Sequence, residues 1–304
     1  MRVLITGACG MLGRDLVETL SKEHELFGID VKDSGSWILN LGSMEFSKAD
    51  IINKEEIIKV ICDARPEVVI HTAAYTDVDG CEKNEDLAHR VNGTGTQNVA
   101  LACQKCKAVI AYISTDFVFD GEKKEPYIES DRPNPLSVYG KSKLEGEKHI
   151  SSLLDRYFII RTSWLFGKHG RNFVNTILKL AQEKKELRVV NDQIGSPTYT
   201  KDLAYAIKRL ITDHRSPITD FGIYHISNSD SCSWYEFARE IIQNSKFKTQ
   251  NSKVIPISSE ELNRPAKRPK FSVLDNSRYI KIVSEPLRPW QKALKEYIGK
   301  IEAT

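Results

Sequence analysis

The sequence is poor in the features that mark specialised protein classes. Methionine occurs three times, tryptophan four times and cysteine six times in 304 residues. No stretch approaches the roughly eighteen consecutive apolar residues that a membrane-spanning helix needs. No basic-then-apolar leader precedes the first strand-like run, so the expectation is a cytoplasmic protein without membrane association. The six cysteines (Cys9, Cys62, Cys81, Cys103, Cys106, Cys232) lack the dense spacing of a disulfide scaffold. Cys103-Gln-Lys-Cys106 has redox-motif spacing but closes a helical pattern, and an incidental pair is the favoured reading. Neither sign of charge dominates: the formal net charge is +3. Basic residues gather only in the short run 264–270, which gives nucleic-acid binding little support. There is no internal repeat and no low-complexity segment.

What is present is an ordinary globular composition, 40% hydrophobic and 28% charged, at a length suited to a dinucleotide domain with a smaller appendage. Short β-branched runs at 2–6, 25–30, 67–72, 108–114 and 157–162 alternate with helical patterns at 10–21, 54–64, 84–105 and 138–154. That alternation implies a doubly wound, Rossmann-like parallel sheet with right-handed crossovers. Ligands of such sheets bind beyond the carboxyl ends of the strands. Thr6-Gly7, Asp30, Thr72-Ala73-Ala74 and Ser114-Thr115-Asp116 all fall there. After about residue 163 the alternation loosens and aromatic, proline and basic residues increase. The division expected is a dinucleotide-binding domain at 1–163, rejoined by parts of 200–227, and a smaller, partly discontinuous substrate-binding region at 164–304.

Thr6-Gly7-Ala8-Cys9-Gly10-Met11-Leu12-Gly13 follows a strand and opens a helix. In that setting Gly7 permits a tight turn, Gly10 lets a pyrophosphate approach backbone N–H groups, and Gly13 packs helix against strand. Asp30 ends the second strand, where a carboxylate can accept bonds from the adenosine ribose. That favours NADH over NADPH, because a 2′-phosphate would meet negative charge; Lys32 close behind tempers the preference. Asp50-Ile51 is placed to edge the adenine, or alternatively to start a helix.

Tyr139 and Lys143 stand four residues apart on a helical pattern and therefore share a face. A tyrosine titrates near 10, and a neighbouring ammonium lowers that value toward the range useful for proton exchange. Thr115 or Ser114 can donate a hydrogen bond to a substrate oxygen on which charge develops. Together with the glycine loop, the constellation predicts carbonyl reduction with a nicotinamide cofactor. Trp164 can pack against a flat ring and Arg268 can grip a diphosphate; interdomain core and solvated loop are the bland alternatives for these two.

These motifs, with residues 91–99, resemble the extended short-chain dehydrogenases/reductases. More narrowly, 71–79, 114–121, Arg161-Thr162-Ser163-Trp164, 191–198 and Arg268-Pro269 resemble the dTDP-4-dehydrorhamnose reductase family, over nearly the whole chain. The resemblance implies reduction of the C4 ketone of a dTDP-linked 6-deoxy-4-hexulose to dTDP-L-rhamnose. It makes Tyr139 the proton donor, Lys143 its activator and ribose anchor, Thr115 the carbonyl polariser, and Asn92 a brace. Gly7, Gly10, Met11, Leu12, Gly13, Asp30, Asp50, Ile51, Thr72, Ala73, Ala74, Tyr75 and Lys143 would hold the cofactor. Thr76, Val78, Asp79, Thr115, Asp116, Trp164 and Arg268 would face the nucleotide sugar. Phe117 stands where the family often has tyrosine, and the segment 31–49 is longer than usual. Some members bind Mg²⁺ at a dimer contact; Asp15, Glu186 and Glu296 are the matching positions, so the resemblance leaves Mg²⁺ open and implies a homodimer. Reductases or epimerases of other nucleotide sugars remain alternatives, as does a regulatory subunit like the methionine adenosyltransferase β subunit.

Overall fold

A computed structural model describes residues 1–33, 44–212, 220–246 and 252–303. The chain begins β1 (Arg2–Thr6), α1 (Met11–Leu20), β2 (Glu25–Asp30), β3 (Glu45–Lys48), α2 (Lys54–Ala64) and β4 (Val68–His71). It continues through α3 (Val78–Lys83), α4 (Glu85–Ala88), a π-helical turn (His89–Gly95), α5 (Thr96–Cys106) and β5 (Val109–Thr115). A 3₁₀ turn (Asp116–Val118), α6 (Val138–Leu153) and β6 (Tyr157–Thr162) complete the regular alternation. Then come β7 (Leu165–Phe166), α7 (Phe173–Glu183), β8 (Glu186–Val190), β9 (Ile194–Gly195), β10 (Thr198–Tyr199), α8 (Thr200–Thr212) and β11 (Gly222–His225). The described chain closes with β12 (Cys232–Ser233), α9 (Trp234–Asn244), β13 (Lys253–Ile257), α10 (Ser259–Leu262), α11 (Ser277–Val283) and α12 (Trp290–Glu302).

Seven strands form one parallel sheet in the order β11-β6-β5-β4-β1-β2-β3. Strand order reverses between β1 and β4, the switch point at which such sheets open a crevice. The central strands β4 and β5 are buried along their whole length, as expected of a sheet covered on both faces. One face packs on α1, α8 and α11 around Leu16, Leu203 and Ile207. The other carries α2, α5 and α6 around Ile57, Val99 and Ile150. A third apolar cluster, with Phe166, Phe237, Trp290 and Tyr297, holds α7, α9 and α12 together beside the carboxyl ends of the strands.

The fold expected from the alternation is the one observed, with two departures. The pattern at 84–105 reads as one helix, but the backbone widens into a π turn over His89–Gly95. Gly93 and Gly95 permit it: a Cβ on Gly93 would lie 2.5 Å from the Glu145 carboxylate, and one on Gly95 2.8 Å from Ile51. The turn aims Asn92 inward as a brace between Tyr75 and Ser142. The second departure lies in the long segment 31–49, which ends in the edge strand β3, paired with β2; residues 34–43 lie outside the described residues. Residues 213–219, within the stretch expected to rejoin the first domain, also lie outside them. On either side of that gap, α8 packs against α1 and β11 pairs with β6.

Candidate active site

The glycine loop bridges β1 and α1. Gly7 has φ +69°, and a Cβ there would lie 2.7 Å from both the Ala73 nitrogen and Thr72 Oγ1. A Cβ on Gly13 would stand 2.2 Å from the Gly7 carbonyl oxygen, so the helix meets the loop at a distance only glycine allows. Gly10 differs: it is exposed, and the Gly7 oxygen at 3.0 Å is the one neighbour a Cβ would meet. It caps α1 without any side-chain hydrogen bond, leaving the first-turn amides open to an anion. Asp30 ties the loop down, accepting from the Cys9 amide at 3.0 Å and the Lys32 amide at 3.0 Å. These features fit a dinucleotide whose pyrophosphate would lie on Gly10, Met11 and Leu12 and whose ribose would face Asp30.

Beside them, Thr72 donates to the Thr6 carbonyl at 2.7 Å and fixes the 72–75 loop over β1. Asp50 does not cap α2; Asn53 does, its side chain accepting from Glu56. Asp50 accepts from the Ile52 amide at 3.0 Å, and Asn98 holds the Ile51 and Ile52 carbonyls at 2.9 and 3.1 Å. The buried Ile51 lines the same cavity as the glycine loop.

Ser137 caps α6 and sets Tyr139 and Lys143 on its inward face. Tyr139 and Thr115 are hydrogen-bonding neighbours, and burial raises the phenol above its ordinary pKa. This corrects the expectation that Lys143 lowers it. The Lys143 ammonium is committed elsewhere, donating to the Ile113 carbonyl at 2.7 Å and lying 4.1 Å from the Tyr112 ring centre. Burial pushes Lys143 itself down to about 7, against the pull of Glu147. Thr115 accepts from the Phe117 amide at 3.1 Å and contacts Asp116 Oδ1 at 3.0 Å. Burial pushes Asp116 up to about 6, against hydrogen bonds from Ser272 and Thr115.

One cavity of about 870 Å³ runs from Asp30 and Asp50 past the glycine loop to Trp164 and Arg268. It is lined by every residue anticipated from the sequence except Asp79. Asp79 instead holds the 264–268 loop: it pairs with Arg264 at 3.2 Å and Arg268 at 3.0 Å and accepts from the Ala266 amide. Trp164 takes a left-handed φ of +48° and lies flat on Trp234, ring centres 3.5 Å apart. Gly195 leaves room for the indole, since a Cβ there would come within 2.5 Å of it.

Sequence reasoning missed three contributors. Trp234 and Arg171 line the same cavity. Glu147 lies beneath Lys143 in a bidentate pair with Arg161. Only Glu147 left a local trace, as an acid one helical turn beyond Lys143.

Within one chain Asp15, Glu186 and Glu296 do not gather into a metal-ligand cluster. Asp15 is buried and bonded to Thr200, and Glu296 lies between Arg288 at 2.6 Å and Lys300 at 2.5 Å. Among the described residues no three His, Cys, Asp or Glu side chains converge as a metal would require. No described helix is long and apolar enough to cross a membrane.

Comparison with known proteins agrees with this geometry. The family model for the RmlD substrate binding domain matches residues 1–303. The spore coat polysaccharide biosynthesis protein SpsK of Bacillus subtilis is 41% identical over 98% of this chain and 96% of its own length. A crystal structure of a dTDP-4-dehydrorhamnose reductase from Clostridium acetobutylicum superposes with a TM-score of 0.88 at 41% identity, covering 99% of this chain and 100% of that one. The Bacillus anthracis dTDP-4-dehydrorhamnose reductase, solved with NADP, gives a TM-score of 0.87 at 40% identity over 98% and 99% of the two chains. The chain therefore belongs to the dTDP-4-dehydrorhamnose reductase family of extended short-chain dehydrogenases/reductases.

Proposed function

We propose that this protein reduces the C4 ketone of dTDP-4-dehydrorhamnose to give dTDP-L-rhamnose, using NADH or NADPH. The observation that carries this reading is the meeting of Tyr139, Thr115 and Lys143 in the cavity that the glycine loop opens. The reduced nicotinamide, when bound, supplies the hydride. Tyr139, kept protonated by burial, donates its proton to the ketone oxygen as charge develops there. Thr115 turns its hydroxyl to the same oxygen and stabilises that charge. Lys143, its ammonium held on the Ile113 carbonyl, anchors the nicotinamide ribose. Arg268 and Arg171 bind the diphosphate, and Trp164, backed by Trp234, packs against a ring of the nucleotide sugar.

The dinucleotide half comprises residues 1–163 with α8 and β11, and the remainder of 164–304 forms the substrate half. NADH is favoured over NADPH because Asp30 faces the adenosine ribose, and Lys32 on the same cavity wall lets NADPH retain some activity. Homodimerisation follows from the family resemblance.

Incubation with dTDP-4-dehydrorhamnose and NADH tests the reading: stoichiometric NADH oxidation and dTDP-L-rhamnose are expected, and no turnover with either cofactor contradicts it. Side-by-side kcat/KM values should favour NADH. Replacement of Asp30 by Ala should narrow or reverse that ratio.

A further inference from the structure

We propose that Glu147 is a positioning residue for the reduction: its carboxylate, clamped by Arg161 and Ser114, holds the Lys143 ammonium in its charged, working form. The inference rests on the reductase reading above. Glu147 lies four residues beyond Lys143 on α6, so the two occupy one helix face. Both are buried, Lys143 2% and Glu147 3% exposed. Glu147 is fixed from two strands: Arg161 Nε and Nη2 on β6 donate to it at 3.0 and 2.7 Å, and the Ser114 hydroxyl on β5 donates at 2.5 Å. Arg161 is 1% exposed and lies over the Phe119 ring. A carboxylate gripped at three points keeps one position relative to the helix that bears Tyr139 and Lys143 and to the strand that ends in Thr115.

The surroundings of Lys143 single out this carboxylate. Tyr112 from β5 is buried and stays protonated, its pKa raised by burial. His71 from β4 is held neutral by burial, its pKa down to about 3. Tyr139 on the same helix is a neutral phenol. Asp116, from the 3₁₀ turn, faces Thr115 and Tyr139. The guanidinium of Arg161 is paired with Glu147. Glu147 is therefore the charge that opposes the desolvation of the ammonium.

The test is the pH dependence of kcat for wild type, Glu147→Gln and Glu147→Asp, with dTDP-4-dehydrorhamnose and saturating NADH. In wild type the rate should fall on the alkaline side as Lys143 loses its proton. Glu147→Gln should move that fall to lower pH by about one unit, with kcat lowered and sugar-nucleotide KM little changed. Glu147→Asp keeps the charge and should restore the wild-type limb. Glu147→Gln leaves the buried Arg161 without its counter-charge, so Glu147→Gln/Arg161→Gln, which removes both charges, is measured beside it. It should show an acid displacement of the same sign but smaller, because a neighbouring cation is removed as well. An alkaline limb unmoved in either folded variant overturns the inference. An inactive wild type instead overturns the reductase reading.

Discussion

Asp79 and Arg268 pair at 3.0 Å, with Arg268 also donating to the Ala266 carbonyl at 2.9 Å. The guanidinium therefore reaches the cavity already oriented, with donors to spare for a phosphate. Arg268→Ala should raise KM for the sugar nucleotide about tenfold or more and leave KM for NADH unchanged. Asp79→Ala should raise it less, because the charge stays while the loop loosens. Calorimetric titration with dTDP at low salt reads both; equal affinities for wild type and Arg268→Ala would remove Arg268 from the diphosphate site. At this scale the sequence was most legible where chemistry depends on near neighbours. Tyr139 and Lys143, Gly7 to Gly13, and Asp30 each sit at a spacing that local geometry dictates. Asp79 reads as a ligand contact because its partners lie 185 and more residues away in the chain, invisible to spacing. Lys143 reads as an activator of Tyr139, but its bond to the Ile113 carbonyl exists only once β5 and α6 are packed.

Glycines at neighbouring positions of the loop do different work, and the β1–α1 unit separates them. A Cβ on Gly13 would strike the Gly7 oxygen at 2.2 Å and Ala8 at 2.9 Å, so Gly13→Ala forces α1 off the loop. A loss of about 1–3 kcal/mol in stability, together with lost dinucleotide binding, is expected. A Cβ on Gly10 meets only the Gly7 oxygen at 3.0 Å and otherwise points to open space, so Gly10→Ala should fold nearly as well yet bind NADH weakly. Thermal unfolding beside fluorescence titration with NADH distinguishes them; equal binding by Gly10→Ala and wild type would mean that no pyrophosphate approaches there. Strands and helices of the first half were legible because buried strands leave short β-branched apolar runs and half-buried helices a 3.6-residue periodicity. The π turn at His89–Gly95 was not, since its cause is contact of Gly93 with Glu145 and of Gly95 with Ile51 across the fold. The small strands after Leu165 were missed for a like reason: pairs such as β8 with β13 join segments some seventy residues apart and leave too short a pattern to read.

Across the whole molecule, buried ionisable groups make stability depend on pH. His71 bonds Thr6 and Thr96, His225 bonds the Tyr127 carbonyl, and burial pushes each imidazole down to about 3. Unfolded, each takes up a proton near 6.5, so each contributes stability above that pH that is lost as pH falls toward 3. Asp116 acts in the opposite sense: raised to about 6, it binds a proton in the fold before it does so unfolded, and offsets one histidine between about pH 6 and 4. For these three groups the net is about one extra proton on the unfolded chain, or about 1.4 kcal/mol lost per pH unit in that window. Urea unfolding at pH 6.5, 5.5 and 4.5 checks this. A free energy that does not fall would show that the two histidines are not held neutral.

Tyr139 is the proposed proton donor, and Tyr139→Phe addresses that role with the loss of a single oxygen. The variant keeps the ring against Phe117 and leaves Lys143 on the Ile113 carbonyl. The measurement is single-turnover reduction of dTDP-4-dehydrorhamnose by wild type and Tyr139→Phe, with NADH affinity determined on the same preparations. The rate should fall by about 10²-fold or more while NADH affinity stays within about twofold. A folded Tyr139→Phe protein that reduces the ketone at the wild-type rate would contradict the assignment.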